Sequence, residues 1–117
     1  MVSPLKIESR MEGGDIGILL LTGEVDIATK ESLRESAQRL LADGAKKLLV
    51  ELSGVEYMDS AGLGVLKGLR SRLVESGGMV AIVAARPPVT KLFAQTGLDQ
   101  VFPMFPDLAA ALGEVGK

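Results

Sequence analysis

Between Lys47 and Ala84 the chain changes its hydrophobic period twice, and this switch constrains its fold more than any other feature. Lys47 to Leu52 is an apolar run of strand length. Val65, Leu66, Leu69 and Leu73 then keep one side of a helix apolar, and Met79 to Ala84 is a second apolar run. Two such strands joined by an amphipathic helical segment read as a parallel pair, because parallel neighbours need a crossover. Upstream, Leu5 to Met11 alternates apolar and polar residues with a lapse at Ser9, Glu12-Gly13-Gly14-Asp15 has turn chemistry, and Ile16 to Leu21 is more completely apolar. That pattern predicts a hairpin with its first strand at a sheet edge. From Thr29, the spacing of Leu33, Ala37, Leu40 and Leu41 predicts an amphipathic helix ended by Asp43-Gly44.

Beyond Ala84, Pro87-Pro88 restarts a helix carried by Val89, Leu92 and Phe93, and Leu108, Leu112 and Val115 mark another. A very short strand is expected at Val101-Phe102. The expectation is therefore an α/β fold in one domain, residues 1–117, with the order ββαβαβα(β)α and a mixed sheet of about four strands packed with about four helices. Leu20, Leu49, Val50, Leu66, Leu69, Val80 and Ile82 are expected to fill the space between sheet and helices. Tyr57, Phe93, Phe102 and Phe105 are the only aromatic residues, so the core is mainly aliphatic.

The absence of cysteine and histidine removes disulfides, thiolate chemistry and every role of imidazole. Thirteen basic and fifteen acidic residues give a net charge of −2, which provides no general field for nucleic acid, so no direct nucleic-acid partner is expected. The longest apolar run, Met79 to Ala85, is far short of the ~18 residues of a membrane span. Lys6, Glu8, Arg10 and Glu12 leave no hydrophobic signal region near the N-terminus. The expected setting is cytoplasmic, without a membrane partner.

Ligands and partners of open α/β sheets meet the loops after the carboxyl ends of the strands. Two loops are expected there. One is Gly23 to Asp26, and the other runs from Ser53 through Gly54, Val55, Glu56, Tyr57, Met58 and Asp59 to Ser60. Parallel pairing of their strands puts Glu24, Asp26, Glu56 and Asp59 on one acidic edge. Asp59-Ser60-Ala61-Gly62-Leu63-Gly64 is the most informative hexad, and it has two readings. In the first, Asp59 or Ser60 caps a helix and the glycines allow close packing. In the second, Ser60 is an exposed hydroxyl at a positive helix end that suits a phosphate. Glu24 and Asp26 also have a purely structural reading, as complements to the dipole of the first helix. Met58 and Tyr57 are candidate partner anchors if they face outward, and Lys67, Arg70 and Arg72 read as a solvated face.

Catalytic readings fare worse. A serine nucleophile has no histidine base here, and the G-x-S-x-G elbow is absent. Gly62, Gly64 and Gly68 give G-x-G-x-x-x-G rather than the dinucleotide fingerprint, and an eight-residue loop before Ser60 is longer than a dinucleotide turn. No cofactor and no metal is expected.

Leu21-Thr22-Gly23-Glu24-Val25-Asp26, Met58-Asp59-Ser60-Ala61-Gly62-Leu63-Gly64-Val65-Leu66 and the segment from Val89 to Gly97 together resemble the STAS domains, and among them the stand-alone anti-sigma factor antagonists. The resemblance covers nearly the whole chain. It implies a regulatory protein that is not an enzyme. When unphosphorylated it binds an anti-sigma factor serine kinase and so controls sigma factor release and transcription; a serine phosphatase resets it. Carried over, Ser60 is the phosphorylation site, and Glu24, Asp26, Met58, Asp59, Ser60 and Gly62 form the partner-binding set. Ala61 departs from family members with Ser or Thr at that position, which excludes a second acceptor there. The alternative is a STAS module of another system, nucleotide-binding, stress-signalling or associated with lipid transport.

Overall fold

The computed structural model describes residues 4–116; residues 1–3 and 117, the ends of the expected domain, lie outside the described residues. Strands β1 (Lys6–Glu12) and β2 (Ile16–Val25) form the antiparallel hairpin. Then follow α1 (Lys30–Ala42), β3 (Lys47–Met58), α2 (Ser60–Glu75), β4 (Met79–Val83), α3 (Pro87–Thr96), a 3₁₀ turn (Leu98–Gln100), β5 (Met104–Phe105) and α4 (Leu108–Val115). Among the described residues the sheet has five strands in the order β1-β2-β3-β4-β5, one more than about four, and all pairs after the hairpin are parallel.

Strand alternation divides the core in two. Leu19, Leu21, Val50, Leu52 and Val80 face the crossover helices, where they meet Leu33, Ala37 and Leu40 of α1, Leu63, Leu66 and Leu69 of α2, and Val89 and Phe93 of α3. Ile16, Ile18, Leu49, Ala81 and Val83 face α4 and its Ala111 and Val115. All the expected core residues are buried except Leu20, which is only partly buried. The correction follows from the short length of α4. That helix packs on β3, β4 and β5, and while Ile16 and Ile18 at the start of β2 are buried in its cluster, Leu20 farther along the strand is left partly uncovered.

The strand expected at Val101-Phe102 forms instead at Met104–Phe105, where Ile82 and Val83 pair with it. Gly97 ends α3 with a left-handed φ of 75°, and the 3₁₀ turn then carries Phe102 inward. The Phe102 and Phe93 rings meet edge to face, with centroids 5.7 Å apart and planes at 81°. Burying that ring takes Phe102 out of strand register.

The largest change from expectation lies at the strand ends. β2 continues through Val25 and β3 through Met58, so the segments read as loops are mostly strand. Their polar residues and glycines are weak strand formers, but parallel pairing overrides that local preference. The register shifts between Leu20 and Thr22 and again between Gly23 and Glu24. The extra residues at both shifts belong to β3, and opposite the second of them Gly23 has φ 115°; a Cβ there would lie 2.5 Å from the Pro4 carbonyl oxygen, so the chain needs glycine at this position.

Candidate functional site

The two acidic segments meet at the carboxyl ends of β2 and β3. Glu24 pairs with Tyr57 and Val25 with Met58, and the Asp59 amide donates to the Val25 carbonyl at 3.2 Å. Asp26 and Asp59 therefore each follow directly on a pair of hydrogen-bonded strand ends, and each opens the way to a helix.

Asp59 resolves the capping question. Its backbone is extended, and its Oδ1 accepts from the amides of Ala61 at 2.9 Å and Gly62 at 3.4 Å, satisfying donors that a helix start leaves unpaired. Ser60 is thus the first residue inside α2. Its side chain is exposed, and its hydroxyl makes no hydrogen bond with the described residues. The cap and the exposed hydroxyl are neighbouring residues with separate jobs. Asp59 alone links β3 to α2, so the eight-residue loop does not exist. The loop-length contrast with a dinucleotide turn disappears, while the glycine spacing still differs from that fingerprint.

Asp26 builds the other turn. Its Oδ1 accepts from Ala28 N at 2.9 Å and Thr29 N at 3.1 Å, while its own amide donates to Thr29 Oγ1 at 3.0 Å. The Thr29 hydroxyl donates to the Glu24 carbonyl at 2.8 Å. Thr29 occupies the N-cap of α1 without a side-chain cap bond, because its hydroxyl is committed to this upstream turn. Asp26 is half-buried by the work, and Glu24, inside β2, is half-buried beside the exposed Tyr57.

Two members of the expected partner-binding set turn out to be buried. Met58 lies in the core at 6% exposure, because it shares a sheet face with its strand partner Val25 and packs beneath α2. Gly62 is also buried. A Cβ there would come within 2.7 Å of Val25 Cγ1 and 3.0 Å of Met58 Cγ, so this glycine lets the first turn of α2 lie against the strand ends. The packing explanation does not extend to Gly64 or Gly68, where a Cβ would meet nothing within 4 Å. Glu56 is exposed on β3, and among the described residues no three acidic side chains converge as a metal site.

Sequence reasoning missed Ile27. At 69% exposure it is the most exposed large apolar residue described, and it sits in the turn that Asp26 holds; Tyr57, at 48%, follows on the joined strand. An isoleucine between a turn-forming aspartate and Ala28-Thr29 was the available signal. It has no place in either helix stripe. Together these residues make a surface with an apolar part, Ile27 and Tyr57, an acidic part, Glu24, Asp26 and Glu56, and the unengaged aliphatic hydroxyl of Ser60. Lys67 and Arg72 on α2 are exposed and Arg70 is half-buried.

Residues 9–111 match the model of the STAS domain family. Over 95% of each chain, this protein is 31% identical to an anti-sigma F factor antagonist of Paenibacillus polymyxa. It is 33% identical to the anti-sigma-F factor antagonist RsfB of Mycobacterium tuberculosis, over 83% of this chain and 79% of that one. The crystal structure of an anti-sigma factor antagonist from Mycobacterium paratuberculosis has the same fold, with a TM-score of 0.88, 28% identity and full coverage of both chains. Among the described residues, no helix is long and apolar enough to cross a membrane.

Proposed function

This chain belongs to the STAS domain family and stands among its anti-sigma factor antagonists, and from that membership we propose that it is a partner switch controlled by phosphorylation of Ser60. Unmodified, it docks the surface of Ile27, Tyr57, Asp26 and Ser60 on an anti-sigma factor serine kinase in the cytoplasm, and the occupied kinase releases its sigma factor. A serine phosphatase resets the switch. The observation that carries this reading is the exposed Ser60 hydroxyl, left unengaged because Asp59 caps the helix.

The chemistry of the position fits a reversible modification. A phosphate on Ser60 would sit at the positive end of the 16-residue α2, where a negative charge is stabilised by about 0.3–1 kcal/mol, so the fold tolerates it. The same phosphate adds about −1.5 to −2 charges next to Asp59, together with bulk that a partner must desolvate. A bound complex weakened by ~1–3 kcal/mol has its dissociation constant raised about 5- to 150-fold, which is enough for a switch. The chain's own part is to bind and to be modified, with no catalytic residue.

The test is incubation with the kinase and ATP, followed by intact-mass and fragment-ion analysis. One phosphate, located on Ser60, is expected. The Ser60→Ala chain should stay unmodified, keep its fold and bind the kinase without being released. Equal incorporation of phosphate into Ser60→Ala would overturn the reading.

A further inference from the structure

Among the described residues β1 is an edge strand with nothing paired to its outer side. Native sheets commonly protect such edges with proline, bulges, very short strands or charge. Here β1 runs seven residues, Lys6-Ile7-Glu8-Ser9-Arg10-Met11-Glu12, pairs with β2 without a register shift and contains no proline, so charge is the only protection left. The order of those charges does not protect against a second copy of itself.

We propose that β1 is a self-association surface, on which two copies of this chain pair their edge strands antiparallel about a twofold axis through Ser9. In that register Lys6 faces Glu12, Ile7 faces Met11, and Glu8 faces Arg10 of the second copy; by symmetry each contact occurs twice. Every charge on the strand meets its opposite, and directly opposed opposite charges stabilise antiparallel pairs. The neighbouring in-phase registers do the reverse. Sliding one way sets Glu8 on Glu8 and Lys6 on Arg10, and sliding the other sets Arg10 on Arg10 and Glu8 on Glu12. A slip of odd length brings charged residues opposite apolar ones. Slips of four set Lys6 on Glu8 or Arg10 on Glu12 but leave the other two charges of the strand unopposed, so only the register through Ser9 matches all four.

The two faces of β1 support the same pairing. The charged residues lie opposite Ile16, Ile18, Leu20 and Thr22 of β2, and with Lys6, Glu8 and Arg10 exposed and Glu12 half-buried their side chains have room to reach across the axis. Ile7 and Met11 lie on the other side, half-buried against the main core, and the paired copy would cover their remaining apolar surface. The Arg10–Glu12 ion pair within one chain is 3.5 Å long with both side chains about half exposed, at 50% and 44%, and it is easily exchanged for contacts across the axis. A seven-residue edge buries less than a standard interface, so the product is a weak, salt-sensitive dimer of two joined five-stranded sheets.

Sedimentation of the full chain at low salt, from micromolar to millimolar concentration, tests this with charge exchange. The wild-type chain should dimerise in a concentration-dependent way, and Glu8→Arg or Arg10→Glu alone should raise the dimer dissociation constant by about tenfold or more. Each single variant carries like charges at both positions. An equimolar mixture of the two variants carries opposite ones, and should associate as a heterodimer where neither variant does so alone. The double variant Glu8→Arg/Arg10→Glu should dimerise like wild type. Ser60→Ala should leave dimerisation unchanged, which separates this surface from the proposed switch. A wild-type chain that stays monomeric at millimolar concentration, a dimer indifferent to both single substitutions, or a mixture that fails to associate would overturn the proposal.

Discussion

The amide of Asp59 donates to the carbonyl of Val25 at 3.2 Å and extends the pairing of β2 with β3 to the very start of α2. Because of it, the Asp26 turn and the capped start of α2 lie on one edge, and Ser60 is presented beside a second, independently built acidic segment. Substitutions at this edge should separate residues that hold it together from residues that a partner would touch.

Asp26 belongs to both groups, and two substitutions divide its roles. Asp26→Asn keeps an oxygen able to accept from Ala28 and Thr29, so its melting temperature should stay near wild type while affinity for the kinase falls. Asp26→Ala loses the acceptor and should destabilise the chain by ~0.5–2 kcal/mol, the range for losing a helix-start side-chain acceptor. Thermal unfolding and titration of the kinase, run on both variants, check this.

Ser60→Asp is expected to fold normally and bind the kinase poorly. A carboxylate at the first helical position is compatible with the dipole, but it adds negative charge beside Asp59. It carries less charge than a phosphate, so its loss of affinity should be smaller than that of the phosphorylated chain. Calorimetric titration of the three forms gives the order directly.

The glycines of α2 should respond in opposite directions. Gly62→Ala forces a methyl against Val25 and Met58 and should cost about 1–3 kcal/mol, less the helix-propensity gain. Gly68→Ala meets open space and should stabilise the chain by roughly 0.5–1 kcal/mol. Denaturant unfolding of both variants measures the difference.

Leu66→Ala removes a side chain with 0% exposure from the middle of the sheet-helix interface and should cost ~2–5 kcal/mol through lost transfer energy and a cavity. A chemical denaturation midpoint well below wild type is the expected result.

Hydrophobic period and turn chemistry were enough to read the hairpin, the three crossover helices, the final helix and most of the core, because each depends on residues near one another in the chain. Leu33, Ala37 and Leu40 mark the buried face of α1 whatever covers them, and Asp59-Ser60 announces a helix start wherever it lies. The same local signals could not show that Ser53 to Met58 is strand, since those residues become strand only by pairing with β2 across two bulges that lie in β3 itself. They could not place Phe102, whose ring is drawn inward by Phe93, a partner in another helix. They left Met58 open between core and surface, and the Val25 pairing beneath α2 buried it. Assigning the cap to Asp59, and so freeing the Ser60 hydroxyl, also required the geometry of the joined strand ends. Periodicity records which side of an element is apolar; which neighbour covers it, and which polar group is left over, depends on contacts between segments distant in the chain.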